Sequence, residues 1–161
     1  MGNADQTLGC RTAPGAPALH LFFQADPASV RRALKIAKDV IHDLALDPDR
    51  TNAVEIVLAE VLNNVVEHAY CESGRGLVEL EVDRRPAELA VRVCDEGLEM
   101  PGGNLPSGAA HDLDVSAGDL PEGGFGWFLI HELTEDLVYR RVGGRNELTF
   151  RMVLDPEMVG G

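Results

Sequence analysis

The chain has 161 residues, 45% of them apolar, with 14 Lys and Arg against 27 Asp and Glu for a net charge of −13 at pH 7. That length suits one domain with a single core, and the acidity argues against nucleic acid or an anionic membrane as the main partner, since both need a basic patch. No apolar run approaches the roughly 18 residues of a membrane span, and the start, MGNADQTLGC, has neither a signal-peptide pattern nor the Ser or Thr that myristoylation wants at Gln6.

Residues 1–17 are rich in Gly, Pro and Ala and read as a flexible arm, with the domain over 18–155 and a short tail over 156–161. LHLFF (19–23) is a short strand. Asp26-Pro27 then gives an N-cap followed by proline in the first helical position. Apolar residues from Val30 to Leu44 recur at helical spacing, so a helix is expected to run to about Leu46. Asp47-Pro48 repeats the cap signal and opens a second helix, whose apolar face is Val54, Val57, Leu58, Val61, Leu62 and Val65.

That second helix ends in EVLNNVVEHAY (60–70), an odd composition for a packing helix, because asparagine competes for the backbone's hydrogen bonds. Glu60 and Asn64 are four apart and stack on one face, and His68 extends the row by another four. Taken alone, the pair is equally a hydrated helix face. As a site it offers a hard amide oxygen for Mg²⁺ at Asn64 and a carboxylate able to take a proton at Glu60. His68 is expected to be a packed structural histidine.

LVELEVD (77–83) and ELAVRVC (88–94) alternate as antiparallel strands do. Asp95 ends the second strand and enters the turn D-E-G-L-E-M-P. By itself it is an ordinary turn aspartate; as a site, a buried acceptor-only carboxylate suits an exocyclic amine such as adenine's, with Gly97 letting the backbone approach a flat ring. Residues 95–126 lack periodicity, and a loop of that length is usually functional. WFLIHELTEDL (127–137) reads as a short helix. Its approach, EGGFG, places Gly124 and Gly126 where backbone N–H groups at a helix start could cradle phosphate, although a hinge would look the same. LVYRRV (137–142) and NELTFRMVL (146–154) alternate again around Gly143-Gly144. The sum is an α+β two-layer sandwich, with helices on one face of a mixed, mostly antiparallel sheet. The three cysteines, Cys10, Cys71 and Cys94, have no metal-type spacing and read as reduced thiols, the latter two in or near the core.

In this order, E-x-x-x-N…H-A-Y (Glu60, Asn64, His68, Ala69, Tyr70), D-x-G (Asp95, Gly97) and the glycine block (Gly124, Gly126) resemble the ATP-binding fold shared by DNA gyrase, histidine kinases and related ATPases. Within it the chain looks most like the anti-sigma-factor serine-protein kinases (RsbW-like), over about residues 19–154. The resemblance implies that Glu60 is the general base, that Asn64 binds the Mg²⁺ bridging the ATP phosphates, and that Asp95 reads the adenine amine beside Gly97. It also implies a lid over 102–123, hinged by Gly124 and Gly126. The implied partners are a sigma factor and an anti-sigma-factor antagonist in the cytoplasm, with no direct nucleic acid and no membrane; relatives often form dimers, so a homodimer is within the expectation. The alternative is a nucleotide-binding regulatory module without catalysis. Two departures stand out: the turn after Asp95 lacks a second glycine, and residues 102–123 contain no Lys or Arg, leaving His111 as their one basic side chain. The Arg31-Arg32 pair on the first helix is a candidate for docking an acidic surface.

Overall fold

The computed structural model describes residues 17–71, 74–108 and 124–154. Its element order is β1 (Leu19–Gln24), α1 (Pro27–Asp43), α2 (Pro48–Asn64), a π-helical turn (Val65–Ala69), β2 (Leu77–Arg84), β3 (Glu88–Asp95), a short 3₁₀ turn (Pro101–Gly103), α3 (Gly124–Leu133), β4 (Glu135–Val142) and β5 (Arg145–Val153). The strands form one sheet in the order β1-β2-β3-β5-β4. Every pairing is antiparallel, so the parallel component expected of a mixed sheet is not found among the described residues.

Both caps are as the sequence implies. Asp26 accepts from Ser29 N at the start of α1, and Asp47 accepts from Arg50 N at the start of α2, each satisfying a helix-start donor that would otherwise lack a partner. α1 stops at Asp43, three residues short of the expected Leu46, because Leu44 N and Ala45 N bond back to Ile41 O and His42 O and Ala45 turns left-handed at φ 54°. α3 begins at Gly124 and ends at Leu133, earlier at both ends than the expected 127–137. Thr134 Oγ1 donates to Ile130 O, and β4 starts at once, with Asp136 at φ 51° where the register shifts. The β4–β5 hairpin turns on Gly143 and Gly144, at φ 58° and 77°, the two positive values that a tight turn of matching twist requires.

The helices cover one face of the sheet. Alternate residues of the strands, such as Leu80, Val91 and Phe150, meet Val30, Ile41, Leu58, Leu62 and Ile130 from the helices in one buried cluster. Trp127 joins it, 6% exposed, as the packing reading of that residue requires. The other face is charged. There Glu79 accepts from His20 Nε2 at 2.7 Å, from Arg92 at 3.2 Å and from Arg145, while Arg92 also reaches Glu81 at 2.9 Å. Two guanidiniums already neutralise these carboxylates, so the His20, Glu79 and Glu81 grouping is an ion-pair network. Among the described residues no helix is long and apolar enough to cross a membrane.

Candidate functional site

α2 and the π-helical turn supply the first wall. Asn64 is buried at 8% exposure, and its Nδ2 has no hydrogen-bond partner. Leaving a buried amide group unpaired costs about 1–3 kcal/mol, so Asn64 carries a hydrogen-bonding capacity that the described residues do not fill. Glu60, one turn earlier, is half-buried. The helix widens after Asn64: Tyr70 N bonds to Val65 O, five residues back. That wider turn takes His68 out of the row of Glu60 and Asn64. His68 is 58% exposed beside Glu67, not the packed histidine the spacing suggests. Asn63 is exposed as well.

The H-A-Y residues act as a clamp. Ala69 O accepts from Leu98 N at 2.7 Å. Tyr70 OH donates to Leu77 O and accepts from Glu96 N, at 2.9 and 2.8 Å, and burial raises its pKa above the ordinary phenol value. Together they bind the end of α2 to the turn after β3. Gly97 is demanded by this clamp: a Cβ there would lie 2.4 Å from Ala69 O. The glycine expected to admit a flat ring is therefore first a packing requirement. Cys71, beyond the clamp, is exposed at φ 48°, which corrects its expected near-core place, whereas Cys94 is buried.

Asp95 is 7% exposed. Its Oδ1 accepts from Gly97 N and from Asn146 Nδ2, both at 2.8 Å. Among the described residues nothing donates to Oδ2. Burial raises the Asp95 pKa, against the lowering effect of the Asn146 and Gly97 donors and of the Arg141 and Arg145 charges.

Asn146 is the residue that the sequence reading missed. It pairs directly with Asp95 across β3 and β5. Its signal was present: it falls on the inward phase of β5, in step with Leu148, Phe150 and Met152, where a polar residue needs a reason. The path of the turn lacking its second glycine is set by Leu98 O, which accepts from Asn146 Nδ2 at 2.8 Å, and by Met100 N, which donates to Tyr139 OH at 3.1 Å.

α3 supplies the other wall. A Cβ on Gly126 would lie 2.4 Å from Glu60 Oε2, so the helix's first turn rests against that carboxylate. Gly124 begins the helix. Of the expected lid, residues 102–108 are described. His131 Nε2 meets Pro106 O at 2.9 Å, which lays this stretch along α3. The remainder, 109–123 with His111, lies outside the described residues, as do residues 1–16 of the expected arm, the tail and Cys10.

The walls form a row from Asp95 through Gly97 and Ala69 to Asn64, Glu60 and Gly126. Glu60 and Asn64 lie on the last turn of α2, and Ala69 closes the π-helical turn that follows it. An acceptor at one end, an unpartnered amide and a carboxylate at the other, and a helix start over them fit ATP with a hard, oxygen-preferring cation such as Mg²⁺.

The comparisons with known proteins bear on the family and the fold. Residues 23–152 match the model of the histidine kinase-like ATPase domain. The sensor histidine kinase PdtaS of Mycobacterium tuberculosis is 38% identical over 80 residues, which is 48% of this chain and 16% of that protein. The crystal structure of the RsbU and RsbW domains of Rv1364c from M. tuberculosis superposes with a TM-score of 0.58 at 16% identity, covering 89% of this chain and 34% of that one. SiaB–SiaC from Pseudomonas aeruginosa gives 0.57 at 15% identity, covering 84% and 89%. The chain thus spans about a sixth of the histidine kinase and about a third of the two-domain structure, and the two structural likenesses show a shared fold. By the match over residues 23–152, the chain belongs to the histidine kinase-like ATPase domain family.

Proposed function

We propose that the chain is a cytoplasmic serine-protein kinase of the anti-sigma-factor kind, which sequesters a sigma factor or similar regulator and phosphorylates a serine on an antagonist protein from Mg-ATP. The observation that carries the proposal is the buried, unpartnered Asn64 amide one turn from Glu60, under the first turn of α3. Asp95 accepts the adenine amino group on Oδ2. Asn64 would hold Mg²⁺ through its amide oxygen, and the ion would supply charge neutralisation at the phosphates. Glu60 takes the proton from the serine hydroxyl as that oxygen attacks the terminal phosphorus, and the bond to the bridging oxygen breaks to release ADP. In phosphoryl transfer most of the work is positioning and charge stabilisation, which rigid walls provide. The fold shared with a structure containing an RsbW domain and with SiaB in its complex with SiaC supports a protein partner. The exposed Arg31 and Arg32 on α1 are the proposed contacts to it.

A second reading has its own observation. Residues 102–123 carry no Lys or Arg to meet phosphate charge, which favours a nucleotide-gated binding module without transfer. A pull-down from native extract with Mg-ATP, using wild type and Glu60→Ala as baits, separates the two. A partner that gains phosphoserine with wild type alone supports the kinase. A partner captured equally by both and never phosphorylated supports the module.

A further inference from the structure

The Asn146 amide is surrounded so that only one of its two orientations is allowed. Its Nδ2 donates to Asp95 Oδ1 and to Leu98 O, each at 2.8 Å. Its Oδ1 accepts from Tyr139 OH at 2.6 Å and from Arg141 Nη1 at 2.7 Å. Flipped by half a turn, the amide would turn its NH₂ to a guanidinium and its oxygen to a carboxylate and a carbonyl. Arg141 also donates to Gly97 O at 2.9 Å, and Tyr139 OH is itself held by Met100 N. All four hydrogen-bonding positions of the amide are used, in a residue 5% exposed.

This has a consequence at Asp95. Oδ1 is occupied by two donors, so the carboxylate is held in rotation and Oδ2 is the oxygen left without a donor among the described residues. We infer that Asn146, locked by Tyr139 and Arg141, is a positioning and specificity-determining residue that aims Asp95 Oδ2 at the purine edge and keeps it an acceptor. An aimed acceptor takes an amino-bearing purine and refuses one with a carbonyl at that place, because two acceptors would then face each other without water. The inference rests on the reading of Asp95 as the base-recognising group.

The charged and titratable groups near the Asp95 carboxylate are Arg141 from β4, Arg145 from β5 and Tyr70 after α2. None of them is altered in the two variants that test the inference, Asn146→Leu and Tyr139→Phe. Two readouts are taken on the full chain: the Asp95 carboxyl titration followed by carbon-13 NMR without nucleotide, and equilibrium binding of ATP and GTP. Asn146→Leu is expected to raise the Asp95 midpoint, because a donor to the ionised form is gone. It should lower ATP affinity about tenfold or more and collapse the preference for ATP over GTP. Tyr139→Phe, which leaves Arg141 on the amide, should shift both readouts in the same direction by less. A folded Asn146→Leu with the wild-type midpoint and the wild-type ATP-to-GTP ratio overturns the inference. If that variant does not fold, unchanged values in Tyr139→Phe overturn it. Asp95→Asn distinguishes the underlying reading: wild-type ATP binding there removes Asp95 as the base reader, while the carboxyl titration still judges what Asn146 does to Asp95.

Discussion

Glu60 Oε2 occupies the space a side chain at Gly126 would need, 2.4 Å from where its Cβ would sit. A carboxylate against the first turn of a helix is favourably placed, since the partial charge there is positive. The crowded atom is the free end of a flexible side chain, with Glu60 Cδ at 3.3 Å and Cβ at 3.9 Å. Gly126→Ala is therefore accommodated by pushing the carboxylate aside, and alanine gains about 0.5–1 kcal/mol of helix propensity in return. Folding free energy should stay within about 1 kcal/mol of wild type, while the proposed phosphotransfer should fall about tenfold or more, because the proposed base is displaced. Chemical denaturation and a transfer assay check the two halves. Wild-type turnover would show that the placement of Glu60 against α3 is irrelevant to catalysis.

Gly97 gives the opposite outcome from a similar clash. Its Cβ would meet Ala69 O at 2.4 Å and Ala69 C at 2.6 Å, both backbone. Nothing there can swing away, and the adjacent Leu98 N to Ala69 O bond must lengthen or break. Gly97→Ala should cost about 1–3 kcal/mol of stability, as overpacking does, and weaken nucleotide binding with it. An alanine variant as stable as wild type in urea would contradict the clamp.

The contrast shows what the sequence could and could not express. The two Asp-Pro caps, the alternating strands and the Glu60–Asn64 stack were readable because they are local and periodic. The expectation for His68 failed because a π-helical turn leaves no mark in residue spacing, and a 3.6-residue period was carried one turn too far. Gly97 was assigned to ligand approach because a glycine's neighbours lie elsewhere in the chain; Ala69 is 28 positions away. Asn146 was lost for the same reason, its partner Asp95 standing opposite it on another strand. The C-terminal end of α3 moved because Thr134 bonds back to Ile130 and β4 follows at once, with Asp136 at a positive φ that few sequences announce.

Asp95 should trade stability for function. Burial raises its pKa above the ordinary carboxylate value. A raised folded pKa means its favourable contribution is complete below the unfolded value and is lost as pH rises through the folded one. Ionising the group in the folded state is thus a cost to the fold. Asp95→Asn removes that charge and keeps an oxygen to accept from Asn146 and Gly97. The apo variant should be at least as stable as wild type at pH 7, and ATP should no longer raise its thermal midpoint. A large loss of apo stability would mean that the charge itself serves the fold.

Glu79, on the far face of the sheet, should show the reverse sign. Burial pushes its pKa up, but the His20 bond and the Arg92 and Arg145 charges outweigh that and hold it below the usual range. A lowered folded pKa gives stability that is present above the unfolded value and is lost as pH falls through the folded one. Glu79→Gln keeps the shape and removes the charge, leaving Arg92 with Glu81 at 2.9 Å but Arg145 without its carboxylate partner here. Arg92 and Arg145 remain 33% and 45% exposed, so solvent moderates the loss. The variant should be less stable at pH 7 by about 1–2 kcal/mol, and the gap should close at an acid pH below the lowered folded value of Glu79. Urea unfolding at both pH values measures it. The phosphotransfer rate should not move, because this network lies across the sheet from Asn64 and Asp95. A gap of equal size at both pH values would assign the effect to packing in place of the ionised carboxylate.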